Sequence, residues 1–343
     1  MTTGMERLLA AASGRTSDRI PIFVNMSDQG APTLGLSIEE YFRSGEAVAE
    51  AQLAMREKYD YDNLWSLFYV GKEAELLGCK EILFSEYGPP NVLDFILKKP
   101  EDIHRLVIPD DIGALPEFAE QKKCLQILKR ESAGRWPVCA YLTASMTMPA
   151  LLMGMERWMD LALNGPFSLR DELLGKLSDF FRRQVRAIRE AGADILIYAN
   201  PFGSTDFVPM KFFEETSVPW MERDVTDTGV ADMVYYCGMA RLGEALTPVM
   251  ERLKFPTYYL SPLDDIAAGK KVIGGRGLTA GVINDIELID WTPEEVRAEV
   301  KRMLAAGMPG GKFFFGTGVM PFAIPEANIR AMVEAAKEFG AQG

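Results

Sequence analysis

The chain has 343 residues, 37 Lys+Arg against 49 Asp+Glu, a formal net charge of −12 and 48% apolar residues. That excess of acid, with no basic block, excludes a nucleic-acid or anionic-membrane surface, because both rest on clustered Lys and Arg. No run of about 18 apolar residues exists to span a bilayer and Met1–Arg7 lacks a signal-peptide pattern; the four cysteines (Cys79, Cys124, Cys139, Cys237) include no Cys-x-x-Cys pair, so a reduced, cytoplasmic setting is expected.

In chain order, an N-terminal extension leads to the first of eight strand candidates, residues 21–25. The others are 61–67, 138–142, 193–200, 231–237, 257–261, 277–283 and 312–316, each a short apolar run bounded by turn residues. Amphipathic segments of period 3.6 lie between them, clearest at 169–191, 292–306 and 325–339. Thr292-Pro293-Glu294-Glu295 has a helix-start signature, with an N-cap threonine, proline next and acids in the first turn. Strands alternating with helices imply a parallel sheet, and eight repeats predict one α/β domain over 1–343, a (β/α)8 barrel of the TIM type. The insertion after the second strand, 73–91, carries a hairpin signal at Glu81-Ile82-Leu83-Phe84 and a Gly88-Pro89-Pro90 turn, and reads as a lid.

The single histidine, His104, follows Pro100-Glu101-Asp102, a surface helix start, and reads as structural. One histidine all but excludes His-based triads and multi-histidine metal sites, so any acid, base or ligand must be a carboxylate, Tyr, Cys, Lys or Ser/Thr. In barrels of this type the loops at the strands' carboxyl ends converge on one mouth. Here those ends carry Asn25 to Gln29, Phe68-Tyr69, residues 143–148, residues 200–206, Cys237-Gly238, residues 261–265, Asn284-Asp285 and Thr317-Gly318, an aromatic and amide-rich set with few cations. Phe313-Phe314-Phe315 reads as core, and Gly274-Gly275-Arg276-Gly277 as a turn, since it precedes a strand and does not open a helix.

Seven segments in order resemble one family: residues 15–21 (Arg-Thr-Ser-Asp-Arg-Ile-Pro), 73–78 (Glu-Ala-Glu-Leu-Leu-Gly), Ala191-Gly192-Ala193-Asp194, Asn200-Pro201-Phe202-Gly203-Ser204, Phe212-Phe213-Glu214-Glu215, Cys237-Gly238 and 325–332. Together they resemble the uroporphyrinogen decarboxylase superfamily, and more closely its cobalamin-dependent methyltransferase branch, the methylcobalamin:coenzyme M methyltransferase type. The resemblance covers nearly the whole chain, and its fold is a (β/α)8 barrel. True decarboxylases carry an arginine-rich first loop to bind a polycarboxylate. Here that loop is Asn25-Met26-Ser27-Asp28-Gln29-Gly30, with an acid and no arginine. The zinc enzymes of the branch use a His-x-Cys pair and a later Cys. Those positions align with Tyr235, Cys237 and Gly318, so one ligand of three survives and no zinc is expected.

Without zinc to activate an acceptor thiol, the resemblance implies the donor side of the chemistry. A methyl group would move from a small methylated compound, such as a methoxyarene, to cobalamin, with a tyrosine or carboxyl protonating the leaving group. The corrinoid would arrive on a partner protein, because Ile103-His104-Arg105 holds the one histidine and no Asp-x-His-x-x-Gly motif can exist. A homodimer is compatible with the sequence. The expected catalytic residues are Tyr235, facing the barrel interior by alignment, Cys237, Asp206 and Asp28. The expected substrate contacts are Asn25, Gln29, Trp65, Tyr69, Met148, Asn200, Phe202, Ser204, Asn284 and Thr317. The alternatives are a decarboxylase or lyase acting on a smaller carboxylic acid, and a non-catalytic binding homologue.

Overall fold

A computed structural model describes residues 2–342. Eight parallel strands form the barrel: β1 (Ile22–Asn25), β2 (Leu64–Trp65), β3 (Val138–Thr143), β4 (Ile195–Ala199), β5 (Met233–Tyr236), β6 (Thr257–Leu260), β7 (Leu278–Ile283) and β8 (Phe313–Val319). They run side by side from β1 through β8 and back down to β2. Every strand read from the sequence is present, within a few residues at each end. The three clearest helices fall at Phe167–Ala191, Pro293–Gly307 and Glu326–Phe339. Thr292 caps the second of these through a reciprocal bond with Glu295, as its signature predicts. The insertion does contain a hairpin, Ile82–Leu83 pairing antiparallel with Asn91–Val92. His104 is exposed on a short 3₁₀ turn, its Nδ1 2.8 Å from Glu172 Oε2.

The strand pleat sorts side chains into two layers. Phe23, Trp65, Cys139, Tyr141, Ile197, Val234, Tyr236, Tyr259, Ala280 and Phe314 pack together inside the barrel. The alternate residues, among them Tyr198, Tyr235, Tyr258, Phe313 and Phe315, pack outward against the helices. The helix Gly4–Ala12 lies against the amino-terminal end of the barrel, with Leu8 and Ala11 joining the interior cluster.

Between β1 and β2 closure is made by side chains. Asp62 N–H donates to Ile22 O at 2.9 Å. Next to it, Asn63 Oδ1 accepts from Val24 N–H at 2.9 Å while its Nδ2 donates to Val24 O at 3.4 Å. Trp65 Nε1 also donates to Val24 O, and Gln52 bridges Trp65 N–H to Met26 O. The buried Asp62 carboxylate accepts from Arg7 Nη1 at 2.8 Å, Arg19 Nη1 at 2.5 Å and Ile22 N–H at 2.8 Å. Arg19, from the resemblance segment before β1, is thus structural.

Removing Asn63 leaves the Val24 N–H buried without a partner, a loss of about 1–3 kcal/mol, while Val24 O keeps the Trp65 Nε1 bond. Removing Asp62 strands the buried Arg19 guanidinium, which costs about 3–5 kcal/mol, and takes one of two carboxylates from Arg7, which keeps Asp18. Chemical denaturation is therefore expected to rank Asp62→Ala below Asn63→Ala and both below the parent chain.

Candidate functional site

At the carboxyl end of the barrel β8 presents Phe314, Gly316 and Gly318 inward, so its side chains vanish toward the mouth. Both glycines make room. A Cβ at Gly318 would stand 2.6 Å from Asp285 Oδ2 and 3.3 Å from Tyr236 Oη, and one at Gly316 would meet the Tyr259 ring at 3.1 Å. Asp285 follows β7 and is 4% exposed. Burial pushes its carboxyl up to about 7, although backbone N–H groups at Asp285, Ile286 and Gly318 oppose the shift. Burial likewise raises the Tyr236 phenol, with the Asp285 charge adding to it. Neither Asp28 nor Asp285 forms an ion pair among the described residues.

Beside this pair, Asn25 Nδ2 donates to Tyr141 Oη at 2.9 Å, while Asn25 Oδ1 is buried without a partner. Thr317 Oγ1 accepts from Asn25 N–H and donates to Gly318 O. Trp65 stacks on Tyr141 with centroids 5.0 Å apart, Tyr141 meets Tyr236 at 5.8 Å, and Tyr236 stands edge-on to Tyr259 at 5.7 Å. The result is a phenol-rich floor with one protonatable carboxyl at its edge.

The structure thus brings Asn25, Trp65 and Thr317 together. Asp28 is 1% exposed on the loop after β1, its Oδ1 unpartnered and its carboxyl pushed by burial to about 7. Gln29 ties that loop to the end of β8 through Met320 O and Pro321 O.

The other expected residues stand elsewhere, and Tyr235 is a correction. The pleat turns it outward, against Tyr198 and Phe255, because Val234 and Tyr236 take the interior positions of β5. Cys237 is also in the outer core, its thiol donating to Asn200 O at 3.4 Å and pushed by burial up to about 12. Asp206 is exposed and receives Arg241 N–H, a loop contact. Asn200 accepts from Thr147 Oγ1 of the loop after β3, and Ser204 donates to Pro201 O within its own turn. Phe202 packs on Phe207. Tyr69 donates to Glu75 Oε2 and packs on Phe42 outside the barrel, and Met148 is helix core. Asn284 accepts from Glu287 N–H and organises the turn after β7.

Sequence reasoning gave no role to Tyr236 or Tyr141, and placed Asp285 at the mouth without choosing it. The one available signal was Gly316-x-Gly318, two glycines two apart on a strand, which marks close approach to an inward face.

A model of the family "Uroporphyrinogen decarboxylase (URO-D)" matches residues 3–339. The chain belongs to the uroporphyrinogen decarboxylase family. Its relatives include a methylcobamide:CoM methyltransferase MtbA of Methanosarcina mazei, 25% identical over 98% of both chains. A methylcobamide:CoM methyltransferase MtaA of Methanosarcina barkeri is 22% identical over 97% of both. The solved structure of a methyltransferase from Methanosarcina mazei superposes with a TM-score of 0.85 at 20% identity, covering 99% of this chain and 100% of that one, which establishes the shared barrel.

Within this uroporphyrinogen decarboxylase family fold, the side chains at 235, 237 and 318 do not fit a three-ligand metal site. Tyr235 is packed in the outer core, Cys237 is bonded to backbone, and the space at Gly318 belongs to the Asp285 carboxyl. Among the described residues no group of three or more His, Cys, Asp or Glu stands together to hold a metal.

The raised Asp285 carboxyl has a thermodynamic consequence. Its folded pKa lies above the unfolded value, so it favours the folded state only while protonated, and stability falls as pH rises from about 4 through about 7. Asp285→Asn is expected to remove that loss. Its stability relative to the parent should rise by on the order of 4 kcal/mol between pH 4 and pH 8, at about 1.36 kcal/mol per unit, read from paired denaturation curves.

Proposed function

We propose that this protein is a corrinoid-dependent methyltransferase that takes a methyl group from a small methylated compound, a methoxyarene as the leading candidate, and delivers it to a cobalamin carried by a partner protein. The carrying observation is the Asp285 carboxyl and Tyr236 phenol converging on the space at Gly318. The methyltransferases among its relatives support the reaction class.

The partner's reduced corrinoid supplies the nucleophile that accepts the methyl group. This chain's residues act on the donor. The phenol-rich floor of Trp65, Tyr141 and Tyr236 receives an aromatic body, Asn25 offers its free Oδ1 to a hydroxyl, and Asp285 gives its proton to the departing oxygen as the O–CH₃ bond breaks. A carboxyl near 7 is matched to that task, since general acids work best close to the ambient pH. A first loop with Asp28 and no arginine disfavours a polycarboxylate or an anionic thiol.

The rim supports a visiting partner. Leu83, Tyr87, Phe207, Leu263 and Ile286 are exposed on segments that follow barrel strands, and Val319 is exposed at the carboxyl end of β8. Large exposed apolar residues gathered on one face mark protein interfaces.

The test is methyl transfer to cob(I)alamin, followed by the corrinoid absorption spectrum, across methoxyarenes, methylamines and methyl thioethers. Transfer from a methoxyarene is expected, with a rate that declines as pH rises through about 7. Asp285→Asn should slow it about a hundredfold or more. No transfer from any of the three classes overturns the reading. Carbon dioxide release without a cobalt requirement replaces it with a decarboxylase, and tight binding without turnover replaces it with a binding protein.

A further inference from the structure

The amino-terminal end of the barrel, opposite the mouth, holds a cavity of about 340 Å³ beneath the helix Gly4–Ala12. That is the size of a small-molecule site. Leu8, Phe23, Ile197, Val234, Leu278 and Phe314 are among its apolar lining. Tyr259 forms part of it too, and its hydroxyl is buried without a hydrogen-bond partner.

Four charged residues stand at the rim, and their partners differ. Asp194 is paired with Lys129, and Asp232 with Arg189 at 2.5 Å. Both acids are therefore neutralised by cations outside the cavity lining. Arg276 and Lys312 have no carboxylate partner among the described residues. Arg276 donates to Val272 O at 2.9 Å, at the carboxyl end of the helix Ile266–Ile273, and Lys312 to Gly275 O at 2.6 Å, so each cation meets backbone carbonyls and no carboxylate. Gly275 is the residue before Arg276, so the two cations converge on one side of the opening. In a chain of net charge −12 this is a local surplus of positive charge beside an apolar hollow.

We propose that this cavity is a second ligand site, for a small amphiphilic carboxylate whose apolar body enters beneath Tyr259 and whose carboxylate meets Arg276 and Lys312. The glycine-rich turn Gly274-Gly275-Arg276-Gly277 then has a use: it presents a guanidinium at the rim, where a bidentate contact with a carboxylate is geometrically favoured. The site is independent of the mouth and of the methyl-transfer reading, because it opens on the other end of the barrel.

Octanoate is the probe, with octylamine and octanol as controls for charge, each titrated by calorimetry against the full chain. Octanoate is expected to bind saturably, at least tenfold more tightly than octylamine. Arg276→Glu, an exposed position whose side chain holds only backbone carbonyls, should weaken octanoate on the order of tenfold, the value of a charge-assisted bond. It should leave octanol within about twofold of the parent, which also reports that the variant is folded. Crystals soaked in octanoate should show it under the N-terminal helix. Absence of saturable binding, equal affinity for octanoate and octylamine, an unchanged affinity in Arg276→Glu, or octanoate found only at the mouth overturns the proposal.

Discussion

A closed barrel must satisfy every strand, and here one of its eight strands is two residues long. Leu64–Trp65 pairs with β3 but is too short to complete a ladder with β1. The gap is filled by Asn63, whose planar side-chain amide offers a carbonyl acceptor and N–H donors much as a peptide group does. It occupies the place that a backbone amide of β2 would take against Val24. Because Asp62 and Trp65 flank it, the same short segment anchors the N-terminal arginines on one side and sets an indole inside the barrel on the other. The mouth inherits its geometry from that seam: Trp65 fixes Tyr141, Tyr141 accepts from Asn25, and Thr317 holds the end of β1.

The acids of this chain divide by solvation. Surface carboxylates pair with Lys and Arg in bridges that contribute little each. Asp28, Asp285, Asp224 and Glu73 are buried, and desolvation leads the causes that raise each of them. Asp224 accepts from Tyr198 and Ser145 N–H, and Glu73 from Thr143 N–H, so both are built into loop ends. Asp28 keeps an unpartnered Oδ1, and Asp285 meets backbone N–H groups but no cation. A buried carboxyl with no fixed cation is costly as an anion and cheap as an acid, and that preference for the protonated form is what a donor-side methyl transfer needs.

The fold was legible because buried parallel strands are continuous apolar runs and their connections start with recognisable caps. The site was legible only to the resolution of a strand end. Both faces of β5 are apolar or aromatic, so Met233-Val234-Tyr235-Tyr236 carries no sign of which tyrosine turns inward, and the family motif pointed to the wrong one. The same one-residue ambiguity placed the expectation on Asn284 when the buried acid is Asp285. Asn25 and Trp65 lie on inward-facing strand positions beside the mouth, whereas Thr317 has the outward phase of β8 and meets Asn25 through its backbone N–H. Tyr69, Met148 and Asn200 lie just past strands, in the right stretch of sequence, but the chain has already turned into the helix layer there.

Phe314, Gly316 and Gly318 trace one inward column of β8, a ring at the amino-terminal end and no side chain at the mouth. Tyr259 and Tyr236 close over the middle of that column, each touching the next ring in the series. The interior is therefore not a single funnel but two compartments divided by an aromatic partition. The mouth above it is acidic and hydrogen-bonding, and the hollow below is apolar with cations at its edge. Opposite chemistry at the two ends of one barrel follows from that column: space opens at Gly318 beside Asp285 and Tyr236, while Phe314 stays in the apolar hollow that Arg276 and Lys312 also line.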